Sequence, residues 1–189
     1  MSLSLLDWRR TVAALYAEVR ADPDPSRAHE VWRDGRQRLI RDHPESPNRS
    51  AVLRVAPYDP AWRFEVVVEP VESLRIEIAT ATDGVVPFER IGRVELGRIG
   101  SLDVWWLGSY GGGLWLPLRD GSPDTYGGGR YVLDTVKGAD LGGSDGRLVV
   151  DLNFAYNPSC AYDEAWACPL APDGNRTDIA VPVGELTPS

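Results

Sequence analysis

The spacing of the apolar residues changes once along the chain, near residue 50, and this change limits the folds that the chain can adopt. Residues 5–20 carry apolar side chains at steps of three and four, which form one face of an amphipathic helix. Pro23 and Pro25 end this helix, because proline cannot continue it. Ser26 is the candidate N-cap of a second helix, which ends at Pro44. The chain is therefore predicted to begin with two helices.

After residue 50, apolar and polar residues alternate instead, which is typical of half-buried strands. The predicted strands lie in residues 62–68, 74–78, 92–97, 102–106, 114–118, 130–134, 147–152 and 178–183. Short strands separated by Gly, Asp and Pro predict an antiparallel barrel or a sandwich-like sheet, and the lack of helices between them argues against a Rossmann-like fold. The expected fold is mainly β with two N-terminal α-helices, comprising a helical segment (1–48) and a β domain (49–189).

The charge of the chain excludes two classes of partner. The 189 residues have a formal net charge of −8, whereas nucleic acid and anionic membranes attract basic surfaces. No apolar run approaches the roughly 18 residues of a membrane helix. Charged residues at positions 7, 9 and 10 interrupt any apolar signal region, so we expect a cytoplasmic protein with reduced cysteines.

A glycine-rich loop precedes one predicted strand and is the first candidate site. Gly127, Gly128 and Gly129 can adopt positive φ angles and expose N–H groups to an anion, with Tyr126 beside them. Arg130 could bind a carboxylate or phosphate through two hydrogen bonds. The alternative interpretation is a structural turn in which Arg130 forms a local ion pair. No Gly-Lys-Ser/Thr follows, so this is not a Walker phosphate loop.

The second candidate site is a polar turn that follows an apolar strand. Asp151 and Asn153 lie on one face of the chain, because alternate strand residues share a face. Tyr156, Asn157 and Tyr162 add further hydrogen-bonding groups within a few residues. These side chains indicate either a ligand site or a set of structural turn contacts.

The two cysteines provide the third candidate. Cys160 and Cys168 are eight positions apart, without the spacing of a zinc site or a Cys-x-x-Cys motif. The main expectation is a pair of buried, inert thiols. A nucleophilic Cys160 would need a base, for which His43 in the irregular connector is the candidate, and Asp151 is a candidate general base. His29, on the second helix, is expected at the surface.

Several motifs together resemble a known family. They are Thr-Tyr-Gly-Gly-Gly-Arg-Tyr at 125–131, Asp-x-Asn-x-Ala-Tyr-Asn-Pro-x-Cys-Ala-Tyr at 151–162 and Cys-Pro-Leu at 168–170. The chain resembles a family of uncharacterised prokaryotic proteins, a domain of unknown function, most clearly over residues 50–185. Ala171 departs from the Cys-Pro-Leu-Pro-Pro run that members commonly have. The resemblance implies no activity.

These features favour a domain that binds a small polar or anionic ligand where the 127–130 loop and the 151–162 turn meet. One alternative is a hydrolase or transferase that uses Cys160 or Asp151. A further alternative is a polar network that only braces the fold. No metal ion and no cofactor are expected.

Overall fold

The computed structural model of the protein describes residues 3–80, 84–108 and 110–188. The two predicted helices are present as α1 (Leu3–Ala21) and α2 (Pro25–Asp42). The N-cap of α2 is Asp24, whose Oδ1 accepts hydrogen bonds from the backbone N–H groups of Ser26 and Arg27. The prediction of Ser26 as the cap was therefore wrong. The helix begins two residues earlier than predicted, at Pro25, because proline is favoured at the first helical position.

Eight β-strands follow the helices, and they form two antiparallel sheets. They are β1 (Arg63–Val67), β2 (Arg75–Ala79), β3 (Val85–Glu95), β4 (Ser101–Leu107), β5 (Gly113–Leu118), β6 (Arg130–Asp134), β7 (Gly143–Ser144) and β8 (Arg147–Asp151). One sheet has the order β1-β8-β7 and the other the order β2-β3-β4-β5-β6. Neither sheet closes within the described ranges, so the sandwich-like prediction is confirmed and the barrel is excluded.

The helices and both sheets share one hydrophobic core. Trp32 of α2, Val94 and Leu116 of the five-stranded sheet and Val150 of the three-stranded sheet are completely buried in this core. His29 is also buried, with 2% of its surface exposed, so the expectation that it lies at the surface was wrong. Its ring packs among aromatic neighbours, namely Trp32, Tyr58 and Phe154.

The last predicted strand, residues 178–183, is not a strand. Val181 and Val183 are buried as alternation predicts, but the backbone oxygens of both residues accept hydrogen bonds from Arg130. The alternation therefore predicted correctly which side chains are buried. The backbone carbonyls, however, bind the Arg130 side chain and not a neighbouring strand. No described helix is long and apolar enough to cross a membrane.

Candidate functional site

The first half of the 151–162 turn is a closed network of hydrogen bonds. Asp151 Oδ1 accepts from the side-chain Nδ2 of Asn153 at 2.7 Å, and Asp151 Oδ2 accepts from the hydroxyl of Tyr58 at 3.1 Å. Asn153 also binds both backbone groups of Asp59, at 2.9 Å each. Burial raises the pKa of Asp151 despite these donors. The network ties the end of β8 to the segment before β1, and neither Asp151 nor Asn153 reaches the cavity described below.

The second half of the turn is paired with β6. Tyr131 and Tyr156 exchange two backbone hydrogen bonds, of 2.8 and 2.9 Å, which brings the motif that follows the glycine loop beside the 151–162 turn. Asn157 donates its backbone N–H to the carboxylate of Glu185 at 2.7 Å and its amide Nδ2 to the carbonyl of Leu186 at 2.8 Å. Its Oδ1 is buried and has no partner among the described residues.

Arg130 lies inside the protein with none of its surface exposed. Its guanidinium donates to the Asp120 carboxylate at 2.8 Å and to the carbonyl oxygens of Val181, Val183 and Glu185. Desolvation lowers its pKa, although the Asp120 carboxylate opposes this effect. Arg130 therefore has the contacts of a structural ion pair, which was the alternative interpretation of this motif.

The glycines before Arg130 form a tight turn. The backbone N–H of Gly129 donates to the carbonyl of Tyr126 at 2.9 Å, and Gly129 has a φ of 92°. A Cβ at this position would lie 3.0 Å from the carbonyl oxygen of Leu118. Gly127 is exposed and Gly128 is half-buried beside the Tyr126 ring. The glycines are thus explained by chain reversal into β6.

Glu185 is a central residue that the sequence analysis did not identify. Its buried carboxylate accepts hydrogen bonds from Arg36 of α2, from the backbone of Asn157 and from the Tyr162 hydroxyl, the last at 2.9 Å. Arg36 lies four residues from Trp32 and from Ile40, so helical spacing places it on the buried face. The sequence contained one sign of this buried ion pair: Arg36 is a charged residue at a position on the apolar face of the helix.

A cavity of about 80 Å³ lies where the two helices meet β6 and the 151–162 turn, and we call it the tyrosine cavity. Its lining comprises Trp8, Val12, Tyr16, Arg36, Ile40, Pro47, Tyr131, Lys137, Ala139, Tyr156, Asn157, Pro158, Ser159, Tyr162 and Cys168. Three of the predicted site residues, Tyr156, Asn157 and Tyr162, belong to this lining. A single water needs only about 10–15 Å³ by this measure, so the cavity has room for several waters or one small molecule.

The two charged side chains of the lining are both cations, and each is paired with a buried carboxylate. They are Arg36 and Lys137, and their carboxylate partners, Glu185 and Asp134, lie outside the lining. Lys137 is about half exposed and is the only lysine in the sequence. The cavity therefore presents two cationic side chains among aromatic rings.

Four tyrosines supply hydroxyl groups to the cavity region: Tyr16, Tyr131, Tyr156 and Tyr162. Burial raises the pKa of each of them above the ordinary value, so all four remain protonated at neutral pH. The Tyr131 hydroxyl donates to the carbonyl of Pro169 at 2.6 Å. Tyrosines held in this form can donate hydrogen bonds but do not act as bases.

The two cysteines are neighbours, and both are free and half-buried. The backbone N–H of Cys160 donates to Cys168 Sγ at 3.4 Å, and the Tyr126 hydroxyl donates to Cys160 Sγ at 3.7 Å. A hydrogen bond from the Cys168 thiol lowers the pKa of Cys160 to about 6, and the same contact raises the pKa of Cys168. The prediction that both thiols are buried was wrong, since both are half-buried.

His43 contacts residues other than Cys160. Its Nδ1 accepts from the backbone N–H of Glu45, its Nε2 lies 3.4 Å from Asp7 Oδ2, and its ring packs edge-on against Trp8. The described contacts therefore do not form the Cys160–His43 pair that a cysteine nucleophile with a histidine base requires. No group of three or more potential metal ligands occurs within the described ranges.

The fold and the cavity define a class: an antiparallel, two-sheet β protein whose N-terminal helices enclose a small, cationic and tyrosine-rich cavity. The chain belongs to the family described as "Protein of unknown function (DUF1684)", whose model matches residues 50–186. The predicted membership in a domain family of unknown function is thereby confirmed.

The chain is also similar to a solved structure, the solution NMR structure of an uncharacterised protein from Haloarcula marismortui. The two chains are 29% identical, with a TM-score of 0.58, and the match covers 84% of this chain and 91% of the other. The search of curated proteins found no match.

Proposed function

We propose that the protein binds a small anionic or polar ligand in the tyrosine cavity. The observation that carries this proposal is the charge of the lining, whose two charged residues, Arg36 and Lys137, are both cations. A carboxylate or phosphate in the cavity would gain from both charges in a partly desolvated site, where electrostatic attraction is stronger than in water.

Lys137 supplies the adjustable charge of this site. Arg36 is held by Glu185, whereas Lys137 pairs with Asp134 at 3.4 Å while about half of its side chain remains exposed. The Asp134 carboxylate is buried, so Lys137 would contact a ligand while it stays paired with Asp134, and its three ammonium hydrogens allow both contacts.

The polar groups of the cavity favour a ligand that also carries hydrogen-bond donors. The Oδ1 of Asn157 is buried and has no partner among the described residues, and it belongs to a residue of the lining. A buried acceptor without a partner costs about 1–3 kcal/mol, which a ligand hydroxyl or a bound water would recover. The small volume of about 80 Å³ restricts the ligand to a few heavy atoms.

The alternative of a purely structural network is favoured by a different observation. The side chains of Asp151 and Asn153 bind protein groups, and Arg130 binds Asp120 and three backbone carbonyls. These residues brace the fold, so the proposed ligand contacts are restricted to the cavity lining.

The test is the melting temperature of the protein in the presence of small solutes at constant ionic strength. Inorganic phosphate and acetate should raise the melting temperature in a saturable manner, and glycerol at equal concentration should not, because a ligand that binds only the folded state stabilises it by mass action. Lys137→Gln should abolish the rise. Arg33→Gln, which removes an exposed charge outside the lining, is the matched control and should keep it. An equal response of Lys137→Gln and the wild type would reject the proposal.

A further inference from the structure

The second site of interest is the cysteine pair, which lies at one side of the tyrosine cavity. Cys160 is part of the short turn Ser159–Ala161, and only Cys168 belongs to the cavity lining. The two residues are joined by residues 161–167, and four of these seven linking residues are exposed. The sulfur atoms can therefore approach each other through a local movement of a surface loop.

The two thiols have different surroundings. Cys160 Sγ accepts a hydrogen bond from the Tyr126 hydroxyl at 3.7 Å, and a donor of this kind stabilises a thiolate. Cys168 Sγ accepts the backbone N–H of Cys160 at 3.4 Å, which holds the two cysteines side by side. One sulfur is thus prepared as a nucleophile, while its neighbour holds a proton within reach.

We propose that Cys160 and Cys168 form a redox-active pair that reduces low-molecular-weight disulfides by thiol–disulfide exchange, with Cys160 as the attacking thiol and Cys168 as the resolving thiol. This inference does not depend on anion binding in the tyrosine cavity, because Cys160 is not part of the lining.

The exchange proceeds in two balanced steps. The Cys160 thiolate attacks one sulfur of the substrate disulfide, the S–S bond of the substrate breaks, and one substrate thiolate leaves and takes up a proton. The Cys168 thiol then loses its proton to the second leaving thiolate as it attacks Cys160 Sγ. The products are one Cys160–Cys168 disulfide and two substrate thiols, so two electrons pass from the protein to the substrate disulfide. An excess of low-molecular-weight thiol reverses both steps and restores the pair.

The exposure of the site is compatible with such a substrate. Both cysteines are half-buried, so a small disulfide can reach Cys160 without opening the core. Tyr126 is also half-buried and would remain a hydrogen-bond donor during the reaction, because burial together with the neighbouring Cys160 raises its pKa to about 12.

The test mixes the reduced full-length protein with oxidised glutathione, stops the reaction by alkylation and determines the products by mass spectrometry. The wild type should lose both free thiols, release two glutathione molecules per chain and retain no adduct. Cys168→Ser should accumulate a glutathione adduct on Cys160 and release one glutathione. Cys160→Ser should react at least about tenfold more slowly, because the remaining Cys168 thiol lacks the hydrogen bond that the Tyr126 hydroxyl donates to Cys160. Equal rates for the two single-cysteine variants would overturn the proposal, and so would adducts on the wild type without ring closure.

Two further measurements test the proposal even if the cysteine variants fail to fold. Wild-type protein treated with less than one equivalent of iodoacetamide should be labelled mainly at Cys160, as peptide mapping would show. Tyr126→Phe should slow the attack on oxidised glutathione, whereas Tyr110→Phe, at a fully exposed tyrosine, should not. Preferential labelling of Cys168 would contradict the assigned roles.

Discussion

The guanidinium of Arg36 and the carboxylate of Glu185 form a buried, two-point ion pair between helix α2 and the C-terminal segment. The Nη2 of Arg36 lies 3.2 Å from Glu185 Oε2, and the same carboxylate oxygen accepts from the Asn157 backbone and the Tyr162 hydroxyl. One acidic side chain thereby joins the helices, the polar turn and the chain end. The wall of the tyrosine cavity depends on this junction.

Glu185→Ala is expected to destabilise the protein strongly. The substitution leaves the Arg36 cation buried without its carboxylate, and removal of one partner from a buried ion pair costs about 3–5 kcal/mol. Urea denaturation measures the change in the free energy of unfolding. Glu65→Ala is the control, because the Glu65 side chain is exposed and its ion pair with Arg63 should contribute less than about 1 kcal/mol. Similar losses for the two variants would show that the buried pair has no special role.

Arg130→Met is expected to lower the stability of the folded protein, and not only to weaken ligand binding. The Asp120 side chain is only 2% exposed, so loss of the guanidinium leaves a buried carboxylate and should cost about 3–5 kcal/mol. Arg119→Met, at the neighbouring exposed arginine, is the matched control for urea denaturation. If Arg130→Met kept the wild-type stability but lost the response to phosphate, Arg130 would instead belong to the ligand site.

His29 should make the stability of the protein fall in mildly acidic solution. Burial lowers its pKa to about 4, and the hydrogen bond of Nε2–H to the carbonyl of Asn153, at 3.0 Å, places the proton of the neutral ring on that nitrogen. Unfolded histidine titrates near 6.5. Between pH 6.5 and about 4 the unfolded chain takes up a proton that the folded chain does not, so stability present above pH 6.5 is lost as the pH falls.

The measurement for His29 is urea denaturation at several pH values. The interval between the two pKa values corresponds to at most about 3–4 kcal/mol, since one pKa unit equals about 1.4 kcal/mol. His29→Gln keeps a donor for the Asn153 carbonyl and should reduce the loss of stability over this range. His43→Gln removes the other histidine and should preserve it. An unchanged pH dependence in His29→Gln would show that His29 does not cause it.

Local patterns predicted most of the secondary structure. The steps of three and four before residue 50 correspond to helix α1, and the strand predicted at 130–134 corresponds to β6 with the same bounds. These predictions succeed because the position of a side chain on a helix or strand depends on its near neighbours alone. The N-cap of α2 was misplaced by two residues, since Asp24 and Ser26 are both good capping residues.

The candidate site was predicted only in part. The 151–162 turn does supply Tyr156, Asn157 and Tyr162 to the cavity lining, but the cations of this lining are Arg36 and Lys137, neither of which belongs to the predicted motifs. The predicted cation, Arg130, is buried with Asp120. Composition reveals which groups can bind an anion, whereas their burial and partners depend on how the elements pack.

The sequence by itself determined the two helices, the antiparallel β character and the concentration of polar groups at 151–162, because each of these follows from residues close together in the chain. Only the tertiary structure decided that Arg36 meets Glu185, 149 positions away, and that the backbone of residues 181–183 binds Arg130 instead of a strand. Such contacts form when buried charges and backbone groups must find partners in the packed interior, and many pairings satisfy that requirement equally well in the sequence. The folded chain selects one of them.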